Sequence, residues 1–151
     1  MMGLDISHNA WHGSYGSFMS WRKEIARLAG LPPLELMDGY YNEDSGNPLI
    51  LLNFKYPKGD ELDMSQLRRI FKRLPIKWEC LNPNPLHELL YHSDCDGHIN
   101  YGSCKKIADE LEKLLPLMEH EEMPYSLHSL TKQFIEGCRL AHSKKQKLIF
   151  H

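Results

Sequence analysis

The stretch from His92 to Ser103, HSDCDGHINYGS, gathers more liganding chemistry than any other part of the chain. His92, Asp94 and Asp96 alternate with other residues, so their donors converge on one side of a turn that Gly97 makes sharp. That set suits one divalent ion of the calcium or magnesium type, or zinc. A softer alternative set is His92, Cys95, His98 and Cys104, whose nitrogen and sulfur donors suit tetrahedral zinc. The spacing of that second set differs from paired zinc knuckles, so a site with three protein ligands and an open position, drawing in His8 or His12, is the easier one to build. An ion held with an open position would activate water, and the chain would then be a metal-dependent hydrolase. Without metal, the same residues form a turn between two helices. Asp94 or Asp96 would cap the second helix and Cys95 and Cys104 would pack as small apolar groups.

With Gly97 placed at the sixth position of a twelve-residue loop, His92, Asp94 and Asp96 fall at positions one, three and five, and Ile99 at eight. This resembles the centre of an EF-hand loop. Both anchors depart from that pattern. Position one is His92 instead of Asp, and position twelve is Ser103 instead of a bidentate Glu.

A second constellation, SHNAWHGSYGS from Ser7 to Ser17, stands directly ahead of a helical pattern. Its candidate ligand-binding residues are His8, Trp11, His12, Tyr15 and Arg22. Trp11 or Tyr15 would stack on a ring, His8 and His12 would exchange hydrogen bonds, and Arg22 would pair with charge. A helix N-terminus favours phosphate or carboxylate, because its free N–H groups point outward. The spacing is neither a Walker A loop nor G-x-G-x-x-G. Read as structure alone, Trp11 and Tyr15 pack on the core and Ser17 caps the helix.

The elements that must position these loops are legible as patterns. Leu4-Asp5-Ile6 alternates as a short strand. Phe18, Trp21, Ile25 and Leu28 recur at helical spacing within Ser17–Gly30, where Gly30 and Pro32-Pro33 end the helix. Tyr40–Pro48 reads as a loop, Leu49–Tyr56 as a strand, Asp63–Leu74 as a helix and Ile76–Cys80 as a second short strand. Asn84 is an N-cap with Pro85 at the first helical position, opening a short helix Leu86–Tyr91. Helices follow at about Tyr101–Leu115 and Leu127–His142, and Leu148-Ile149-Phe150 closes the chain as a strand. The expected fold is α+β: a single compact domain over residues 1–151, with four to five helices and a small sheet of short strands.

Composition narrows the function classes. The chain is 42% hydrophobic and 25% charged with a net charge of −2, so no global field recruits nucleic acid or an anionic membrane. No apolar run is long enough to span a bilayer, and the first residues lack the pattern of a signal peptide. A cytoplasmic protein is expected. Cys80, Cys95, Cys104 and Cys138 have no framework spacing and are read as thiols. The cluster Arg68, Arg69, Lys72, Arg73 and Lys77 reads as a solvated helix face.

The pairing of GLDISHNAWHGSYGSF with a later HSDCDG resembles an uncharacterised group of small phage- and prophage-encoded proteins. That resemblance carries over no catalytic residue. It implies a class of small proteins that inhibit or sequester, as phage proteins that counter host defence do. Three functional readings follow. The first is a binding protein that holds a small polar or phosphorylated ligand in a pocket shared by the two loops. The second is the metal-dependent hydrolase, and the third an interaction module for a host protein with purely structural loops. The first is preferred, because neither loop holds a complete catalytic set.

Overall fold

The structure, a computed structural model, describes residues 3–31, 33–34, 37, 77–81, 83–93, 96–119 and 127–151. The expected loop at Tyr40–Pro48, the strand Leu49–Tyr56 and the helix Asp63–Leu74 lie outside these residues. The fold is α+β. Four α-helices stand among the described residues: α1 (Tyr15–Leu28), α2 (Leu86–Tyr91), α3 (Tyr101–Glu119) and α4 (Leu127–Ser143). Four short strands join them: β1 (Leu4–Ile6), β2 (Trp11–Gly13), β3 (His98–Ile99) and β4 (Leu148–Ile149). By contact the chain divides into two units, Met1–Arg22 with Pro83–His151, and Lys23–Asn82.

In the first unit β1 and β2 form an antiparallel hairpin that sets Asp5 opposite His12. β3 and β4 form a second antiparallel pair, with His98 opposite Ile149. An Ile6–Phe150 bridge joins the two pairs, and Asp5 and His151 exchange both backbone hydrogen bonds at 2.8 Å. The strands therefore run in the order β2, β1, β4, β3. Leu4, Ile6, Trp11, Ile99, Leu148 and Phe150 are buried, whereas Asp5, His12, His98, Ile149 and His151 face solvent. This is the two-residue alternation of a half-buried sheet.

Under that sheet lies an aromatic cluster. Trp11 meets Phe18 edge-on at 5.2 Å and Trp21 at 5.4 Å, Trp21 meets Phe134 at 4.9 Å, and Phe18 meets Phe150 at 6.0 Å. Such pairs add about 0.5–1.5 kcal/mol each beyond their buried area. The Trp21 indole N–H donates to the Thr131 hydroxyl at 3.0 Å, and that hydroxyl donates to the Leu127 carbonyl at 2.8 Å. Thr131 is thus a buried polar residue of α4, because an indole in the core needs an acceptor.

Helix boundaries follow local chemistry. Ser14, not Ser17, caps α1: its hydroxyl accepts the Ser17 N–H at 3.0 Å, so Gly16 lies inside the first turn. The end of α4 is a Schellman motif, with Gln146 N–H donating to Ala141 O and Lys145 N–H to His142 O around Lys145 at φ 53°. Asn84 Oδ1 accepts the Leu86 N–H at 2.9 Å ahead of α2, with Pro85 in helical conformation, as expected. α3 runs through Pro116 to Glu119 and so brings Met118 into its buried face, one turn beyond the expected end.

The second unit holds the last turns of α1, which close on Gly30 at φ 75° with Leu31 N–H donating to Ala26 O, the same motif again. The expected strand at Ile76–Cys80 is corrected over its described part, where Trp78–Leu81 is a 3₁₀ turn. A short apolar run does not distinguish the two periods, and Leu81 is buried while Lys77 and Glu79 are exposed. No helix among the described residues is long and apolar enough to cross a membrane.

α4 lies tightly against the hairpin turn. A Cβ on Gly137 would stand 2.7 Å from the Ala10 Cα, a backbone atom that has no room to withdraw. Gly137→Ala is expected to destabilise the fold by about 1–3 kcal/mol, read from denaturant midpoints. On the outer surface Arg139 donates to Asp109 at 3.1 Å and pairs with Glu112 at 2.7 Å, tying α4 to α3. The Arg139 hydrogen bond holds the Asp109 carboxyl below its ordinary value. Its contribution is therefore present above the unfolded-state pKa and is lost as pH falls through the lowered folded one. In Arg139→Gln the Asp109 titration should move upward, as followed by carboxyl carbon NMR.

Candidate functional site

The N-terminal constellation folds as a hairpin with a four-residue turn, Ser7 to Ala10. His8 and Asn9 both carry positive φ, 60° and 59°, the backbone signature of a type I′ turn. Neither is glycine, and the turn is pinned from outside. The Gln133 amide donates to Asn9 O at 2.9 Å, and Ser7 Oγ accepts the Ile149 N–H at 2.8 Å. His8 Nε2 meets Gln146 Oε1 at 2.8 Å, which leaves Nδ1 to accept the Ser7 hydroxyl proton at 2.9 Å. His8 therefore fastens the turn to the chain's C-terminal segment. Neither of its nitrogens is turned to solvent alone.

On the solvent face of the hairpin stands a chain of three polar side chains. His12 Nδ1 donates to Asp5 Oδ1 at 2.7 Å, and the Asn9 side-chain amide stands beside His12 Nε2. The side chains of His12 and Asp5 are 55% and 60% exposed, so the group is open to a ligand. Among the described residues, the second Asp5 oxygen and one hydrogen of the Asn9 amide take no protein partner. The site thus offers an acceptor, a donor and an oriented imidazole. Asp5 and Asn9 were not among the residues singled out by spacing. The alternation of Leu4-Asp5-Ile6 already turned Asp5 outward, but only the β1–β2 register brings it to His12.

The other expected ligand-binding residues are placed elsewhere. Trp11 is 1% exposed and belongs to the aromatic cluster, so its ring is not free to stack on a ligand. Its indole N–H finds no acceptor among the described residues. Tyr15 is half-buried at the first turn of α1. Arg22 is 3% exposed, with its guanidinium over the Phe18 ring at 4.5 Å. It donates to the carbonyls of Leu89 at 3.3 Å and Leu90 at 3.4 Å, and to that of His92. These are the last carbonyls of α2, which lack partners within the helix and carry its negative dipole end. Arg22, expected to pair with a ligand, is placed inside the fold, where its side chain caps α2.

The His92 loop has the frame that spacing suggests. α2 ends at Tyr91, Gly97 has φ 90°, Ile99 is buried in β3, and α3 begins at Tyr101 after Asn100, whose carbonyl takes the Cys104 N–H. Asn100 thus holds the N-cap position of α3 that was expected for Asp94 or Asp96; Asp96 is exposed and Asp94 lies outside the described residues. The His92 ring stacks on Phe150 at 4.0 Å, with Nδ1 2.8 Å from Ser93 O and Nε2 3.0 Å from His98 O. The His98 carbonyl stands at position seven, where an EF-hand loop offers its backbone ligand to the cation. Here it meets the imidazole. A Cβ on Gly97 would lie 3.2 Å from His92 Cε1, so glycine serves the turn by its φ and by its missing side chain.

Of the two expected metal sets, Asp94 and Cys95 lie outside the described residues. His98 is exposed on β3, while Cys104 is fully buried with its thiol 3.8 Å from the Ile99 carbonyl. Among the described residues, no group of three His, Cys, Asp or Glu is disposed to hold a metal ion.

Removing the Arg22 charge leaves the end of α2 without its donors. Arg22→Met, which keeps most of the volume, should cost about 3–5 kcal/mol, as expected when one partner of a buried charged contact is lost. Arg22→Lys should recover only part of that, because a single ammonium cannot reproduce the planar fork. Urea unfolding of the three chains gives the comparison. Comparison of the chain with protein-family models, with curated proteins and with solved structures finds no match in any of the three.

Proposed function

We propose that this chain is a binding protein for a small polar ligand, held on the solvent face of the N-terminal hairpin by Asp5, Asn9 and His12. One observation carries the reading: an exposed imidazole is oriented by the Asp5 carboxylate beside the Asn9 amide, and these side chains keep further hydrogen-bonding capacity facing outward. Holding a polar group in place before a ligand arrives lowers the ordering cost of binding. The turn beneath is rigid because His8, Ser7, Gln133 and Gln146 lock its two positive-φ residues. Positive-φ residues that a fold holds in place against their preference are found disproportionately at ligand sites.

The chemistry of the site favours a ligand rich in both donors and acceptors, such as a polyol, a nucleoside or an amide. A phosphorylated ligand is disfavoured at this face, since the Asp5 carboxylate would repel it. The hydrolase reading draws on the metal sets of the His92 loop, and nothing among the described residues assembles one.

Titration of the ¹⁵N-labelled chain with panels of sugars, nucleosides and amino acids is the test. The expected result is saturable shifts confined to Asp5–Gly13, weakened about 10- to 100-fold in Asp5→Asn and His12→Gln, the range for losing a hydrogen bond to a charged group. Saturable shifts centred elsewhere, or binding unchanged in both variants, would overturn the reading.

A further inference from the structure

The solvent face that carries Asp5 and His12 does not end at the hairpin. The chain leaving β4 continues it. Asp5 and His151 exchange both backbone hydrogen bonds at 2.8 Å, so His151 stands directly across from Asp5 on the side away from His12. Ile149, two residues earlier, shares that face and is 48% exposed, with His98 opposite it on β3. Ser7 fixes Ile149 through both backbone groups: Ser7 N–H donates to Ile149 O at 2.8 Å, and Ile149 N–H donates to Ser7 Oγ at 2.8 Å. Asp5 and Ile149 are diagonal neighbours on this face, a relation that sets residues about 7–8 Å apart.

We propose that Ile149 and His151 complete the hairpin site and that its ligand is a nucleoside whose base carries an exocyclic amine, a narrowing that rests on the ligand reading above. A sheet face favours a flat ligand, because a flat ring lying on the strands removes the most apolar area from water. Here the face offers one exposed aliphatic side chain with the exposed imidazoles of His98 and His151 beside it. A base covers the first and stacks on an imidazole. Its edge then reaches Asp5, whose second oxygen has no protein partner among the described residues.

That oxygen only accepts, so it calls for an N–H donor, and the exocyclic amine of adenine or cytosine supplies two. Uracil presents a carbonyl oxygen where cytosine has its amine, and two acceptors repel. None of the outward-facing residues of the four strands is Lys or Arg, so nothing on their face draws phosphate, while the Asp5 carboxylate repels it. The fit is therefore to a free nucleoside and not to a nucleotide or a nucleic-acid strand.

Titration of the full chain, labelled with ¹⁵N and with ¹³C at the isoleucine methyls, with adenosine, cytidine, uridine and glucose is the test. Adenosine and cytidine are expected to shift the amides of Asp5–Gly13 together with the Ile149 methyl and the His151 amide. They should bind about 10-fold more tightly than uridine or glucose, the low end for a hydrogen bond to a charged group. Ile149→Thr, which keeps the β-branched shape that suits a strand, and His151→Ala should each weaken adenosine about 3- to 10-fold. Hairpin shifts that leave Ile149 and His151 unmoved in the unsubstituted chain would overturn this proposal while the ligand reading stands. So would uridine or glucose binding as tightly as adenosine, or adenosine affinity unchanged in both variants. Absence of shifts at Asp5–Gly13 with all four compounds would also overturn it, and the wider panel of sugars, nucleosides and amino acids then decides the ligand reading separately.

Discussion

A guanidinium taken out of water must be given acceptors, and Arg22 finds them at the open end of a helix. That requirement organises the unit around it. The carbonyls of Leu89, Leu90 and His92 converge on one side chain of α1, which fixes where α2 stops and where the His92 loop begins. The same cation lies over Phe18, whose ring touches Trp11, Trp21 and Phe150. A polar anchor and an aromatic core thus share one residue. The positions of the hairpin, the closing strand and the loop are consequences of satisfying both.

The two loops richest in chemistry divide their work accordingly. In the N-terminal hairpin the apolar face feeds the core through Trp11, while the opposite face collects Asp5, Asn9 and His12 in solvent. In the His92 loop one imidazole turns in on the backbone: the His92 ring lies beside the carbonyls of Ser93 and His98 and stacks on Phe150, while Asp96 and His98 stay exposed.

How much of this was legible in the sequence depended on the range of the interaction concerned. Leu86–Tyr91 was readable to the residue, because Asn84 and Pro85 mark its start locally. α3 and α4 were readable as helices, whereas the burial of Thr131 was not, because it serves an indole more than a hundred residues away. β2 and β3 were not readable. Each is two or three residues long, too short to show a period, and each exists because a partner strand meets it. Arg22 was read as a ligand-binding cation because its type is suited to anions. Its burial is decided by α2, far along the chain.

Residue order by itself determined where α1 to α4 lie, the start of α2 at Asn84 and Pro85, the turn at Gly97, the outward side of β1 and the α+β class, all signalled by residues a few positions apart. Tertiary structure alone decided which chemistry stayed available. It put Asp5 beside His12 and sent Trp11, Arg22, Cys104 and Cys138 into the interior. The physical reason is that a side chain's type is local, whereas its exposure and partners depend on what the rest of the chain brings against it. Histidine, arginine and cysteine have uses both as ligands and as packing, and only burial separates the two.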